Sequence, residues 1–575
     1  MFFQSFLRKG LLKTVFIFLG LTLNAYANPQ GEAVIAGTAS FDRSTPNSLT
    51  VTTASDKTII NYSSFSIAAN ESTRFNQPTA NSAVLNRVVG VDPSQVLGTL
   101  SSNGKLFLVN PNGIIFGAGC KVNAPSIVAS TLDIANDDFI AGKYNFFKNG
   151  GNAFIINQGR LAAQPGGYVA LLSQAVNNQG VIIADSGVVT LASGEKMTLA
   201  LDAFDQISVV VDDAVKSEVI GPDGKKTTDA INNSGTIQAN GGKVLLTAKV
   251  MKDVFDYAVN NTGVINAGSI QNNAGLIELT AGGAPIVNTG SMTANTVNIN
   301  VQNADLQNRG SIVANLLGHL NGNISITAQN ILQAGLVVAD AEVDLTAVAA
   351  IETYPTPNSA YPIGGIVKGN QVNLVANAFG SSDLPLNINA AKFNITVPQG
   401  NIDIVGSSDV GSNVLLRGPP AGFGAISYNS DTNLVLDAAN GSINVAPQTV
   451  ISANDLTLIA QKGIDSHGSV TASNTLTLLS PGDIYSLGSL QSANLYERGN
   501  TFQVGGIFNP GNSDIKNADN AMTFSTDTGV SGTVTDGTDV IIAPGVTLTM
   551  TADTNFVAAW GIYHGRYLYN SRKRL

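Results

Sequence analysis

The 575-residue chain has one cysteine, three histidines and one tryptophan, and only 12% of its residues are charged and 6% aromatic. A single cysteine, Cys120, excludes an internal disulfide, so stability has to come from packing and backbone hydrogen bonds. Set among small neighbours, Cys120 reads as a buried apolar filler. The shortage of charge excludes helical bundles and coiled coils, which are rich in Lys, Glu, Arg and Leu. A formal charge of −10 leaves no basic surface on which phosphates gather, so no nucleic acid partner is expected. His319, His467 and His564 are far apart, and no His-x-x-x-His or paired-cysteine spacing exists to hold zinc. A Gly-x-Ser-x-Gly nucleophile turn and a Walker-type phosphate loop are also missing. The sequence therefore assigns no catalytic, metal or cofactor-binding residue, and no cofactor is expected. The acidic pairs Asp137-Asp138 and Asp212-Asp213 read as solvated loop residues, although a stacked array can bring distant carboxylates together.

The N-terminus indicates a destination. Arg8, Lys9 and Lys13 form a positive region, Leu11 to Leu23 an apolar stretch, and Ala25-Tyr26-Ala27 a small-x-small cleavage site. Residues 1–27 are read as a cleaved secretory signal peptide, with Ala25 and Ala27 at the cleavage site. Removing them leaves 548 residues and a formal charge of −13. Beyond them no run of about 18 apolar residues marks a membrane span.

What the chain does have is glycine, 59 residues of it, and a 44% hydrophobic content large enough for an extensive core. Asn-x-Gly, followed by an apolar residue and then Ala, begins at Asn157, Asn178, Asn233, Asn261, Asn288 and Asn308. These starts are 21, 55, 28, 27 and 20 residues apart, so the long interval is either an insertion or about two units. Such periods mean a stacked array. Between the turns lie runs that alternate at period two, such as KVLLTAKV (243–250) and GLIELTA (275–281), which is a strand signature. Asn and Gly tolerate the left-handed backbone of tight corners. The pattern predicts an all-β, right-handed parallel β-helix, a solenoid of about 20 coils and roughly 100 Å at about 4.8 Å per rung. Alternation places Leu106, Leu108, Ile127, Val169, Leu171, Leu191, Leu245 and Ile277 inward.

A family resemblance covers roughly 200 residues. INYSSFSIAANESTRFNQP (60–78), NGKLFLVNPNGIIFGAG (103–119) and GGYVALLSQAVNNQGVIIADSGVVTLASGEKMTLALD (166–202) occur in one order. Together they resemble the haemagglutination-activity, or two-partner secretion, domain of filamentous-haemagglutinin-like exoproteins of Gram-negative bacteria. The resemblance implies that Asn110, Pro111, Asn112, Gly113 and Ile114 belong to a secretion motif. It further implies that an outer-membrane barrel with periplasmic binding domains exports the chain. The family often has Asp-Trp where this chain has Asn61-Tyr62, and one branch's Asn-Pro-Asn-Leu element is missing, so the chain looks closer to the high-molecular-weight adhesin branch.

The expected organisation is a signal at 1–27, a secretion domain at 28–270, continuing β-helix repeats at 271–500, and an irregular segment at 501–575 that caps the rod or trails from it. The expected function is a secreted or cell-surface adhesin, not an enzyme, that binds a receptor or glycan on a host or neighbouring cell. A secreted β-helical enzyme acting on polysaccharide is the alternative, and a haemolysin or toxin is a third reading.

Overall fold

The alternating runs pair in parallel with the run one repeat earlier, which is how a chain with little charge and many tight corners satisfies its backbone. The computed structural model describes residues 28–569, except 202–206, 271–272, 315–320, 354–364, 380–385, 397–401, 405–413, 418–424, 428–432 and one to three residues at a time at several points beyond 438. The signal-peptide residues Ala25 and Ala27 lie outside the described residues.

Three strand columns build each coil. The first runs through Phe154–Asn157, Ala175–Asn178, Asp229–Asn233, Tyr257–Asn261, Ile286–Asn288 and Leu306–Asn308. The second contains Arg160–Ala163, Val181–Ile183, Thr236–Gln238 and Val264–Ala267. The third contains Tyr168–Ser173, Val188–Ser193, Lys243–Lys249 and Leu276–Gly282. Among the described residues, nineteen successive parallel pairings carry this third column from Lys57–Tyr62 to Asn555–Ala558. At about 4.8 Å each, the parallel β-helix is a rod of roughly 90 Å. Ala33–Ala36 and Ala39–Asp42 pair antiparallel with the first coils and cover the N-terminal end.

Asn178 pairs directly with Asn233, so the 55-residue interval is one coil carrying an insertion, not two units. The insertion supplies Lys196–Leu201 and Ile207–Asp213, which join Asp133–Ile134 and Tyr144–Phe147 in a separate four-stranded antiparallel sheet. That sheet lies over the outer face of the third column. Phe107 faces it, with ring centroids 5.3 Å from Phe139 and 5.2 Å from Tyr144. Strands Lys105–Val109, Ile127–Ser130, Tyr168–Ser173 and Val188–Ser193 are consequently buried on both faces. Their continuous apolar runs follow from that burial.

Seven of the eight residues expected inward lie in the interior core. Leu245 does not: Leu191 aligns with Leu246, and Leu245 turns outward, half-buried toward the covering sheet. Two adjacent leucines fit either register, and only the neighbouring coil decides between them.

The segment 501–575, expected to be irregular, is mostly coil over its described residues. Phe502–Ile515, Ala521–Val530 and Asp539–Ile542 stack in parallel, with Phe502, Phe508 and Phe524 fully buried and packed edge to face. An antiparallel pair, Ile562–His564 with Tyr567–Tyr569, follows these coils. The corner after their first column reads Val504-Gly505-Gly506 in place of Asn-x-Gly, so the sequence pattern loosens while the stacking does not.

Candidate functional site

The expected secretion motif occupies the corner between Lys105–Val109 and Ile114–Phe116. Pro111 fixes one backbone angle of the turn, and Gly113 takes φ +123°, where L side chains are strained. The Gly113 N–H donates to the Asn110 carbonyl at 3.2 Å, closing the turn. Ile114 enters the interior core and is fully buried.

Asn110 is completely buried and its carboxamide is fully used. Its Nδ2 donates to the Asp92 carbonyl and to Ser94 Oγ, both at 3.0 Å. Its Oδ1 accepts from the Asn112 N–H at 2.9 Å and from Asn112 Nδ2 at 3.1 Å. Asn112 Nδ2 also donates to the Gly90 carbonyl at 2.8 Å. The two asparagines thus clasp the loop 89–94 of the preceding coil. That loop carries Val89 and Val91 outward, 61% and 84% exposed. The sequence motif therefore acts inward, while the surface it sets belongs to residues that the motif does not contain. Gly90, Asp92 and Ser94 escape sequence reasoning because their partner lies one coil away.

Asn-x-Gly forms a second constellation. Nδ2 of Asn157, Asn178, Asn233, Asn261 and Asn288 each donates to Oδ1 of the next asparagine at 2.7–2.9 Å. Asn308 ends the series on Gln333 Oε1 at 3.0 Å. All six asparagines are fully buried. Each backbone carbonyl of Asn157, Asn178, Asn233, Asn261, Asn288 and Asn308 accepts two N–H groups from the next coil, those of the residue before the glycine and of the glycine itself. The glycines stack so closely that a Cβ on Gly263 would stand 2.2 Å from the Gly235 carbonyl oxygen. Amides and glycines at this spacing are therefore what holds these coils, 157 to 310, in register.

The other singled-out residues do not assemble into a centre. Cys120 is buried against Gly159 at the foot of the glycine stack, and burial pushes its thiol up to about 11. One acid of each pair is tied to the covering sheet: Asp138, on the helix Asn136–Ala141, accepts from Asn145 Nδ2 at 3.1 Å, and Asp212 accepts from Thr198 Oγ1 at 3.0 Å, Asn145 and Thr198 being paired on adjacent strands. Those bonds make them structural acceptors. His467 stands beside Asp465 at 3.1 Å, and His319 lies outside the described residues. Among the described residues no group of three or more His, Cys, Asp or Glu is placed to hold a metal ion.

A parallel solenoid whose first coils are sheathed by an antiparallel sheet and pinned by an amide-clasped turn is a rod with a specialised N-terminal module. That module is a known one. Residues 25–294, a little under half of the chain, match the TPS secretion domain, so this N-terminal module is a two-partner secretion domain, and secretion by that route is the role such a domain carries. The match runs past the boundary read at 270, and the strand columns continue across both positions. Two relatives are each described as a heme/hemopexin-binding protein. One, from Haemophilus influenzae, is 26% identical over 298 residues, 48% of this chain and 31% of the relative. The other, from Haemophilus influenzae strain ATCC 51907 / DSM 11121 / KW20 / Rd, is 30% identical over 262 residues, 44% of this chain and 27% of the relative. The matched segment thus spans less than a third of either relative. The crystal structure of the HMW1 secretion domain from Haemophilus influenzae aligns with 93% of this chain and 99% of its own at 19% identity. Its TM-score is 0.42, and the fold assignment rests on the strand pairing above.

Proposed function

We propose that an outer-membrane barrel binds the N-terminal module through periplasmic domains and exports the chain, which then acts as a non-enzymatic adhesin, a surface-binding rod. The observation that carries the export half is the clasp. Asn110 and Asn112 are spent on fixing the loop 89–94, and two exposed valines on one short loop form an apolar handle. The rod half is supported by a stack of roughly 90 Å that needs no disulfide, since a crosslink formed in the periplasm would obstruct passage through a narrow pore. The buried amides add a direction to assembly. Each Nδ2 points toward the following coil, so an advancing stack leaves one amide donor waiting for the next asparagine.

Haem or hemopexin binding is a second reading, favoured by the descriptions of the two relatives. The test has two stages. Cells producing the chain with and without its barrel are fractionated, and export outside the cell is expected only with the barrel. The purified exported chain is then applied to host and bacterial cells, to haem and to hemopexin. Saturable cell binding supports the adhesin, haem or hemopexin binding alone replaces it, and export without any barrel refutes the two-partner route.

A further inference from the structure

The insertion of the 55-residue interval does more than cover the third column. Residues 219–227 form a tight hairpin: Gly221 N–H donates to the Lys225 carbonyl at 2.8 Å, Thr227 N–H to the Val219 carbonyl at 2.9 Å, and Lys225 N–H to Asp223 Oδ1 at 3.1 Å. Val215 and Val219 anchor it in the interior core. The hairpin stands over the outer face of the first strand column and leaves a cleft of about 360 Å3, at the lower end of the range of small-ligand sites.

The cleft wall has a particular chemistry. Phe154 and Ile156 supply a half-buried apolar surface, and Asn177 follows Ile156 in register on the next coil. Asn232, one coil further, has its Nδ2 committed to Asp229 at 2.7 Å. Asn177 does not share that arrangement: its Oδ1 is buried and has no hydrogen-bond partner. A buried, unmatched amide oxygen is costly, and a ligand hydroxyl would satisfy it. Asp223 and Asp229 are balanced by Lys225 and Lys226 around the cleft, so the site selects neither an anion nor a cation.

We propose that this cleft binds one neutral sugar unit, its hydroxyls meeting the Asn177 carboxamide and its C–H face lying on Phe154 and Ile156. The site rests on the surface-binding reading and names its ligand class. The test uses the full exported chain, with binding of a panel of neutral and sialylated mono- and oligosaccharides read by saturation-transfer NMR and calorimetry. A neutral sugar is expected to bind, Asn177→Ala to weaken it by about tenfold or more, and Asn177→Asp, which keeps an acceptor, to retain most of it. Unchanged circular dichroism of both variants shows that the rod is intact. Equal binding by wild type and Asn177→Ala, or binding of sialylated sugars only, overturns the site. Cell adhesion without any sugar binding overturns the site and leaves the adhesin reading standing, whereas loss of both overturns both.

Discussion

Replacing Asn261 by alanine should damage the rod far more than its single side chain suggests. Asn261 accepts from Asn233 Nδ2 at 2.8 Å and donates to Asn288 Oδ1 at 2.8 Å, with all three residues fully buried. Asn261→Ala strands one donor and one acceptor at about 1–3 kcal/mol each, so the local cost is about 2–6 kcal/mol. Gln333→Ala provides the contrast. It leaves Asn308 Nδ2, which already lies 3.3 Å from the Leu336 carbonyl, and frees the Gly335 carbonyl, which keeps the Ile366 N–H, so about 1 kcal/mol is expected. A long stack does not unfold as one unit, so the assay is hydrogen exchange of the Thr262, Gly263, Thr289 and Gly290 amides, which bond to the Asn233 and Asn261 carbonyls. A loss of about 2 kcal/mol is roughly a 30-fold faster exchange. Protection equal to wild type in Asn261→Ala, or equal losses in the two variants, would refute the cooperative ladder.

Cys120 should stay unmodified by a thiol reagent at pH 8, because a thiol raised to about 11 is roughly a thousandth thiolate there, and it should react fully in denaturant. Arg87→Ala should free the covering sheet, since the guanidinium bonds Asp133 at 2.8 Å, Asn136 at 2.7 Å and the Ile134 carbonyl; faster proteolysis near the helix Asn136–Ala141 is the readout. Hydrogen bonds from Arg498 hold Asp514 below the ordinary aspartate value of 3.8, and those from Asn500 and Thr501 hold Asp483 below it. Depressed carboxylates stabilise the fold above that value and lose the contribution as pH falls through their lowered ones. The last coils should therefore melt at lower temperature below about pH 4, and the double variant Asp483→Asn, Asp514→Asn should flatten that dependence.

The coils were legible in the sequence because the backbone itself demands Asn and Gly at their corners. Asn157, Asn178 and Asn233 repeat because no other side chain continues the amide series and no larger residue fits the glycine positions. Whatever depends on neighbouring coils was not legible. The insertion after Asn178 looked equally like a second unit, and Leu245 and Leu246 exchanged faces under the same alternation. In the late coils the ladder position is held by Ser466, Ser486, Val504 and Phe524 in register, so the asparagine signature is lost while the stacking continues. In the secretion motif the turn could be read from Pro111 and Gly113, but the grip of Asn110 on Asp92 and Ser94 could not. Asn177 carried no signal at all, since its neighbour Asn178 supplied the repeat.

The most direct measurement is the fate of clasp variants in cells producing the chain with its barrel. Asn110→Ala removes four hydrogen bonds from a buried corner, and Asn112→Ala removes the tie to Gly90. Asn474→Ala, which removes an exposed bond to Asp455 at 2.7 Å, is the control at a late coil. Fractionation should find the two clasp variants accumulating in the periplasm and depleted outside, with the Asn474 variant delivered like wild type. Normal delivery of both clasp variants, with no periplasmic accumulation, would contradict the assignment of Asn110 and Asn112 to export and leave the motif as a turn of the solenoid.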